Sequence, residues 1–237
     1  MEERSEVTKP NPNLDQTGVL EDVRRALGRT APMAPALLES FIEPAEPGAP
    51  DELIARFTAE ATAVRANVQL VSDKLQIVDK IVEICPASKG QEIALSATEL
   101  FAQMSLTSTL GARGFSTFVP NGTDHEQMVA RLANCGVGLT TADYAIAETG
   151  TIVLSSDEPN ALLVSLLPPV HVAVVRSSQI MASLDGVISK LGRERINLAE
   201  PSRSITLITG PSRTSDVELV LSIGVHGPKE LHIIILD

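Results

Sequence analysis

Three stretches of this chain hold residue types able to bind or transform a small ligand. Glu148-Thr149-Gly150-Thr151 sets a carboxylate and two hydroxyls in what reads as a hairpin turn between two β-prone runs, with Gly150 free to take positive φ. A carboxylate there serves as a general base, a nucleophile or a cation ligand, or is simply an exposed turn residue. The residues alone leave these open. Thr209-Gly210-Pro211-Ser212-Arg213-Thr214-Ser215-Asp216 follows the apolar run Ile205 to Ile208. Gly210 lets a backbone approach a ligand closely, and Pro211 suits the first turn of a helix. Free N–H groups at such a helix start, with Ser212, Arg213 and Thr214, suit a phosphate or carboxylate. The stretch is neither a Walker A loop nor GxGxxG, so a well-capped turn competes with the anion site. In Gly224-Val225-His226-Gly227-Pro228 a histidine is held between glycines, the better-placed general acid or ligand among the four histidines. His171 enters a strand behind Pro168-Pro169, His125 follows Asp124 at a helix start, and His232 sits among apolar residues of the last strand.

Glu148 and His226 are therefore the catalytic candidates, and Thr149, Gly150, Gly210, Ser212, Arg213 and Thr214 the ligand- or anion-binding ones. Asp143 and Tyr144, just upstream of Glu148, read as capping or sheet residues. There is no HExxH spacing, no paired-carboxylate pattern and no GxSxG elbow. No metal site is expected.

Composition narrows the function classes. A chain of 237 residues buries roughly 70% of its unfolded surface. With no Trp, one Tyr and five Phe, that core must be aliphatic. The net charge of −11, with no long run of Lys or Arg, argues against a nucleic-acid or anionic-membrane surface but leaves room for a locally basic pocket. The two cysteines, Cys85 and Cys135, lie fifty residues apart and read as reduced, buried thiols. An iron–sulfur cluster normally needs about four thiolates, so no cluster is expected on this chain. The charged start MEERSEVTKPNPN lacks the apolar region of a signal peptide, and no apolar run is long enough to span a bilayer. The expectation is a cytoplasmic protein.

The elements that must position these residues follow from punctuation and periodicity. Residues 1–50 read as an N-terminal arm: a polar start, a short amphipathic helix over Gly18 to Leu27 stopped at Gly28, and a proline-interrupted linker. Residues 51–237 read as one α/β domain. Helices start at Asp51, at Ser72 or Asp73, at a capping box Ser96-Ala97-Thr98-Glu99, at Asp124 and at Gln179. Strands are expected at 67–71, 92–95, 115–119, 171–175, 204–209 and 231–236, with a β-rich patch at 137–165 and an ambiguous segment at 217–223. Alternating strands and helices predict an open, mostly parallel sheet with helices on both faces and a β-rich hairpin insertion. In such sheets ligands bind beyond the carboxyl ends of strands, which points to the loops after Val71, Leu95, Val119, Val175 and Thr209. Only the last carries obvious chemistry.

Four long motifs in one order, ADYAIAETGTIVL (142–154), SLLPPVHVAVV (165–175), TLITGPSRTSDVE (206–218) and GVHGPKELHIIILD (224–237), resemble the LUD-domain family and within it the lactate-utilization protein C group. The likeness extends over roughly residues 51–237. It implies a fold similar to the NagB/RpiA/CoA-transferase group. It also implies a role in oxidising L-lactate to pyruvate as a cluster-free subunit, with iron–sulfur clusters carried by partner proteins. Whether the subunit catalyses, binds or docks is left open by the resemblance. Glu148-Thr149-Gly150 is similar in form to the Glu-x-Gly turn of CoA-transferases, and the alternative is a stand-alone enzyme on that fold acting on an acyl-CoA or a sugar phosphate. A lactate site needs a cation or N–H cluster for the carboxylate, which Arg213 and the Gly210–Thr214 backbone would supply. It needs a base near the hydroxyl, which Glu148 or His226 would supply.

Overall fold

The computed structural model describes residues 21, 22, 24–26, 28, 48–85, 92–121, 124–155, 160–195, 204–215, 221–223 and 227–237, without the side chains of 193–195, 214, 215 and 221–223. Two compact units emerge, Met1–Phe41 and Ile42–Asp237. In the first, residues 21, 22 and 24–26 are helical, with an exposed Arg25–Asp22 ion pair. The rest of the expected arm helix and most of the linker lie outside the described residues.

The second unit is built on a six-stranded, all-parallel sheet. Its strands are β1 (Asn67–Val71), β2 (Ile93–Leu95), β3 (Thr117–Phe118), β4 (Val137–Thr141), β7 (Val170–Arg176) and β12 (Glu230–Leu236), in the order β1-β12-β7-β4-β2-β3. Near-continuous apolar runs such as Val172 to Val175 and Ile233 to Ile235 are what a sheet covered on both faces requires. One face carries α2 (Lys74–Ile84), α3 (Glu99–Gln103) and α4 (Leu106–Ala112), whose Ile77, Ile81, Phe101, Leu106 and Leu110 pack on Ile93, Leu95, Leu139, Val172 and Ile234. The opposite face carries α1 (Pro50–Ala63), α5 (His125–Asn134) and α6 (Ala161–Leu166).

That second face also receives a smaller sheet, of order β8-β5-β6-β9, made of β5 (Tyr144–Ile146), β6 (Thr151–Ser155), β8 (Ile180–Met181) and β9 (Ile205–Ile208). β5 and β6 form the expected antiparallel hairpin. Ala145, Ile152 and Leu154 face the large sheet with Phe57 and Ala61 of α1, while Ile146 and Val153 are covered by Val187 and Leu191 of α7 (Leu184–Arg195). Residues that alternate along one strand thus serve two cores. β10 (Arg213–Ser215) pairs with β11 (Leu221–Ile223) in a separate ribbon.

Several local expectations change. The helix expected from Gln179 begins at Leu184, because Ile180 and Met181 pair with β5 as strand β8. The β-rich patch at 137–165 contains helix α6. The helix expected from the Ser96–Glu99 capping box runs only from Glu99 to Gln103, and after Ser105, held at φ 48°, a second helix, α4, follows. Thr98, not Ser96, caps α3 by accepting the Phe101 N–H. Helix α1 starts one residue before Asp51, with Pro50 in its first turn.

Candidate functional site

The Glu148–Thr151 turn and the Thr209–Arg213 loop, some sixty residues apart in sequence, meet at the C-terminal end of α1. The pairing of Ile152 with Ile208 brings Thr151 beside Thr209. Their hydroxyls are 2.7 Å apart, and the Thr149 hydroxyl lies 2.7 Å from that of Thr151, so three threonines form one hydrogen-bonded row. Gly150 and Gly210 both have positive φ, at 62° and 75°. A Cβ on Gly150 would overlap the backbone of Glu60 and Ala61, and one on Gly210 would overlap the Val64 carbonyl. Both glycines are therefore required by close packing against a helix terminus as well as by turn geometry.

The Glu148 carboxylate turns toward α7 rather than toward this loop. Its Oε1 accepts the Leu184 N–H at 2.8 Å, and its own N–H is donated to the Ala182 carbonyl at 3.2 Å. It thus occupies the place of a capping group at the start of α7, where a negative charge also suits the helix dipole. Glu148→Ala should therefore lower stability by about 1 kcal/mol in urea unfolding, while Glu148→Gln, which keeps the acceptor oxygen, should lose less than half of that. Equal losses would exclude the cap. Asp143 is likewise satisfied, its Oδ2 accepting the Ser155 N–H at 2.6 Å.

The sequence favours a helix after Pro211, but the chain enters strand β10 there. The Ser212 N–H, one of the expected free donors, is donated to the Pro228 carbonyl at 2.9 Å. The Arg213 guanidinium donates from Nη2 to the Val64 carbonyl at 3.3 Å, next to the α1 terminus. What the loop offers a ligand is thus the exposed Arg213 cation and the Ser212 side chain, rather than a helix start. The Thr209 loop also follows a strand of the small sheet, so the carboxyl-end rule for the parallel sheet does not apply to it.

Between this loop and the second face of the large sheet lies a cavity of about 320 Å³. Its lining includes Gly210, Ser212 and Arg213 from the loop, Gly227 and Pro228 before β12, and His171 of β7. His171 is fully buried, and its Nε2 lies 2.8 Å from the Thr140 hydroxyl. Its Nδ1 has no hydrogen-bond partner among the described residues. Burial holds the imidazole pKa down to about 3, so the ring is neutral at physiological pH and acts by hydrogen bonding rather than as a cation. A cavity lined by a buried, neutral histidine with one ring nitrogen unpartnered among the described residues and by an arginine is an arrangement suited to a small polar anion.

Of the residues named from sequence, Gly210, Ser212 and Arg213 line this cavity. Thr149 and Gly150 stand beside it through the threonine row. Glu148 is in the lining of neither this cavity nor the larger cleft at Leu95–Val119. Thr214 belongs to β10, and His226 lies outside the described residues. The residue the sequence undervalues is His171. Its signal, a histidine entering an otherwise apolar strand behind two prolines, does not disclose that it lines a cavity. The thiols of Cys85 and Cys135 sit in different core clusters, and burial pushes both up to about 11. Among the described residues no cluster of three or more His, Cys, Asp or Glu could hold a metal ion, and no helix is long and apolar enough to cross a membrane.

Residues 54–236 match the family model described as the LUD domain. A protein from Halalkalibacterium halodurans named lactate utilization protein C is 30% identical over 190 residues, which is 79% of this chain and 80% of that one. One of the same name from Bacillus subtilis is 27% identical, over 73% of this chain and 75% of its own. In fold, the chain is similar to a crystal structure of a DUF162-family protein from Deinococcus radiodurans, with a TM-score of 0.54 and 21% identity, covering 81% of this chain and all of the other.

Proposed function

The chain belongs to the LUD-domain family, and on that footing we propose that it acts in lactate utilization as a cluster-free subunit. In this reading it works with iron–sulfur partner proteins in a cytoplasmic system that oxidises L-lactate to pyruvate. Its relatives over four-fifths of their length carry the name lactate utilization protein C. The observation that carries the site assignment is that Arg213, Ser212 and the buried His171 line one cavity of a size suited to a small acid.

Each residue then has a chemical task. Arg213 neutralises the substrate carboxylate at the cavity wall, with the Ser212 side chain beside it. The neutral His171 ring, held by Thr140, presents Nδ1 to the α-hydroxyl and orients the carbon that loses hydrogen. Oxidation of the alcohol to a ketone releases two electrons and two protons, and clusters in the partner proteins supply the route for the electrons. This subunit's part is to bind and orient. The acyl-CoA or sugar-phosphate alternative gains no support from the position of Glu148, whose Oε1 is engaged at α7.

Mixing this chain with its iron–sulfur partners should give lactate-dependent dye reduction that neither gives alone. Arg213→Ala should raise the lactate concentration for half-maximal rate at least tenfold and change the maximal rate less, with an unaltered circular dichroism spectrum. Unchanged kinetics for this variant would remove the cavity from the reading, and full activity of the partners without this chain would remove the subunit role.

A further inference from the structure

The parallel sheet has a second opening that the lactate reading does not use. β2 leads into α3 and α4, which pack with Ile93 and Leu95 on one face, whereas β3 leads into α5, whose Leu132 packs with Ala94 on the other. Adjacent strands whose connections leave to opposite faces part at their carboxyl ends, and open α/β sheets bind ligands in such crevices. Here the crevice is a cleft of about 620 Å³, bounded by Leu95–Glu99, by Phe101 and Ala102 of α3, by Ser105, by Leu106–Ser108 of α4, and by Val119 behind β3.

Its chemistry differs from that of the His171 cavity. The lining is mostly apolar, from Leu95, Phe101, Leu106 and Val119, and among the described residues includes no Lys, Arg or His. Among the described residues Glu99 is its single charged one, and it disfavours an anionic guest. Ser96 is 1% exposed, and its hydroxyl has no hydrogen-bond partner among the described residues. A buried hydroxyl without a partner is costly, and a guest oxygen in the cleft would complete it. Ser105, also in the lining, holds the left-handed conformation that splits α3 from α4 and so shapes the outer wall.

We propose that this cleft is a second ligand site, for a neutral and largely apolar small molecule that presents one carbonyl or hydroxyl oxygen to Ser96. The site is independent of the lactate reading, and either can fail without the other.

The test is an amide NMR titration of the full chain with 2-naphthol and with its charged counterpart 2-naphthoate. Naphthol should give saturable shifts at Ser96, Thr98, Ala102 and Ser105 and leave Gly210 and Ser212 unmoved. Naphthoate should bind at least tenfold more weakly. Ser96→Ala, which removes an unpartnered hydroxyl and so should fold normally, should weaken naphthol roughly five- to tenfold. Ala102→Phe, a change at an exposed helical position that fills the cleft, should abolish binding. Absence of saturable shifts at millimolar naphthol, equal affinity for the carboxylate, or an unchanged affinity in Ser96→Ala, as expected if water alone satisfies the hydroxyl, would each overturn the proposal.

Discussion

Gly150→Ala should cost this domain about 4 kcal/mol, a large share of the 5–15 kcal/mol that holds a typical domain folded. Two effects add. A non-glycine residue at φ 62° carries about 1–2 kcal/mol of steric cost from its own backbone. The new Cβ would also overlap the backbone of Glu60 and Ala61 on α1, and backbone cannot rotate out of the way as a flexible side chain can. Relief requires α1 to lift, which loosens Ile54, Phe57 and Ala61 from Ala145, Ile152 and Ile233. Urea unfolding at neutral pH reads the loss as a lowered midpoint. Gly111→Ala is the matched control, since that helical glycine has nothing within 4 Å of the added carbon. It should leave stability unchanged or raise it by up to about 1 kcal/mol. A Gly150→Ala protein as stable as the control would mean that the turn does not rest on α1.

The second large effect is set by pH. His171 is fully buried and neutral, with its folded-state pKa lowered by burial to about 3, whereas in the unfolded chain it titrates near 6.5. Between these values the unfolded state binds a proton that the folded state refuses. This contribution to stability is therefore complete above about pH 6.5 and is lost as pH falls toward 3. The slope is about 1.4 kcal/mol per pH unit in the middle of the window, or about 2.5 kcal/mol between pH 7 and 4.5. Urea unfolding across this range should show that decline in excess of the decline in His171→Gln. The imidazole carbon-bound protons of His171 should meanwhile keep their neutral chemical shifts down to about pH 4. Parallel stability curves, or a ring titrating near pH 6, would show that the ring is not sealed in the core.

The imidazole's neutrality also limits its chemistry. At physiological pH it contributes no positive charge to a ligand carboxylate, which leaves Arg213 as the cation of the cavity lining among the described residues. Substitutions at the two residues should therefore separate by substrate feature. Loss of Arg213 should hurt every small carboxylate alike, and loss of His171 should hurt hydroxy acids more than their oxo counterparts.

How much of this was present in the chain as written depends on the range of the forces involved. Alternating apolar runs and helical stripes determine a layered α/β sheet, because a strand covered on both faces and a helix with one apolar stripe have few other ways to leave water. The Glu148–Thr151 turn and the Asp124 cap were legible because each is decided by residues within one turn of the chain. Membership in a family was legible from four motifs in one order. The pairing of β6 with β9, which sets Thr151 against Thr209, was not, since a strand's period of two says which side chains share a face and nothing about which strand lies alongside. The same limit hid strand β8 inside a helical pattern and made Pro211 look like a helix start, when tertiary pairing draws Arg213–Ser215 into a ribbon. Only the folded chain shows that Glu148 points to α7, that one His171 nitrogen has no partner among the described residues, and that Arg213 shares a cavity with it. Those facts depend on contacts spanning roughly forty to one hundred and fifty residues, which no local propensity encodes.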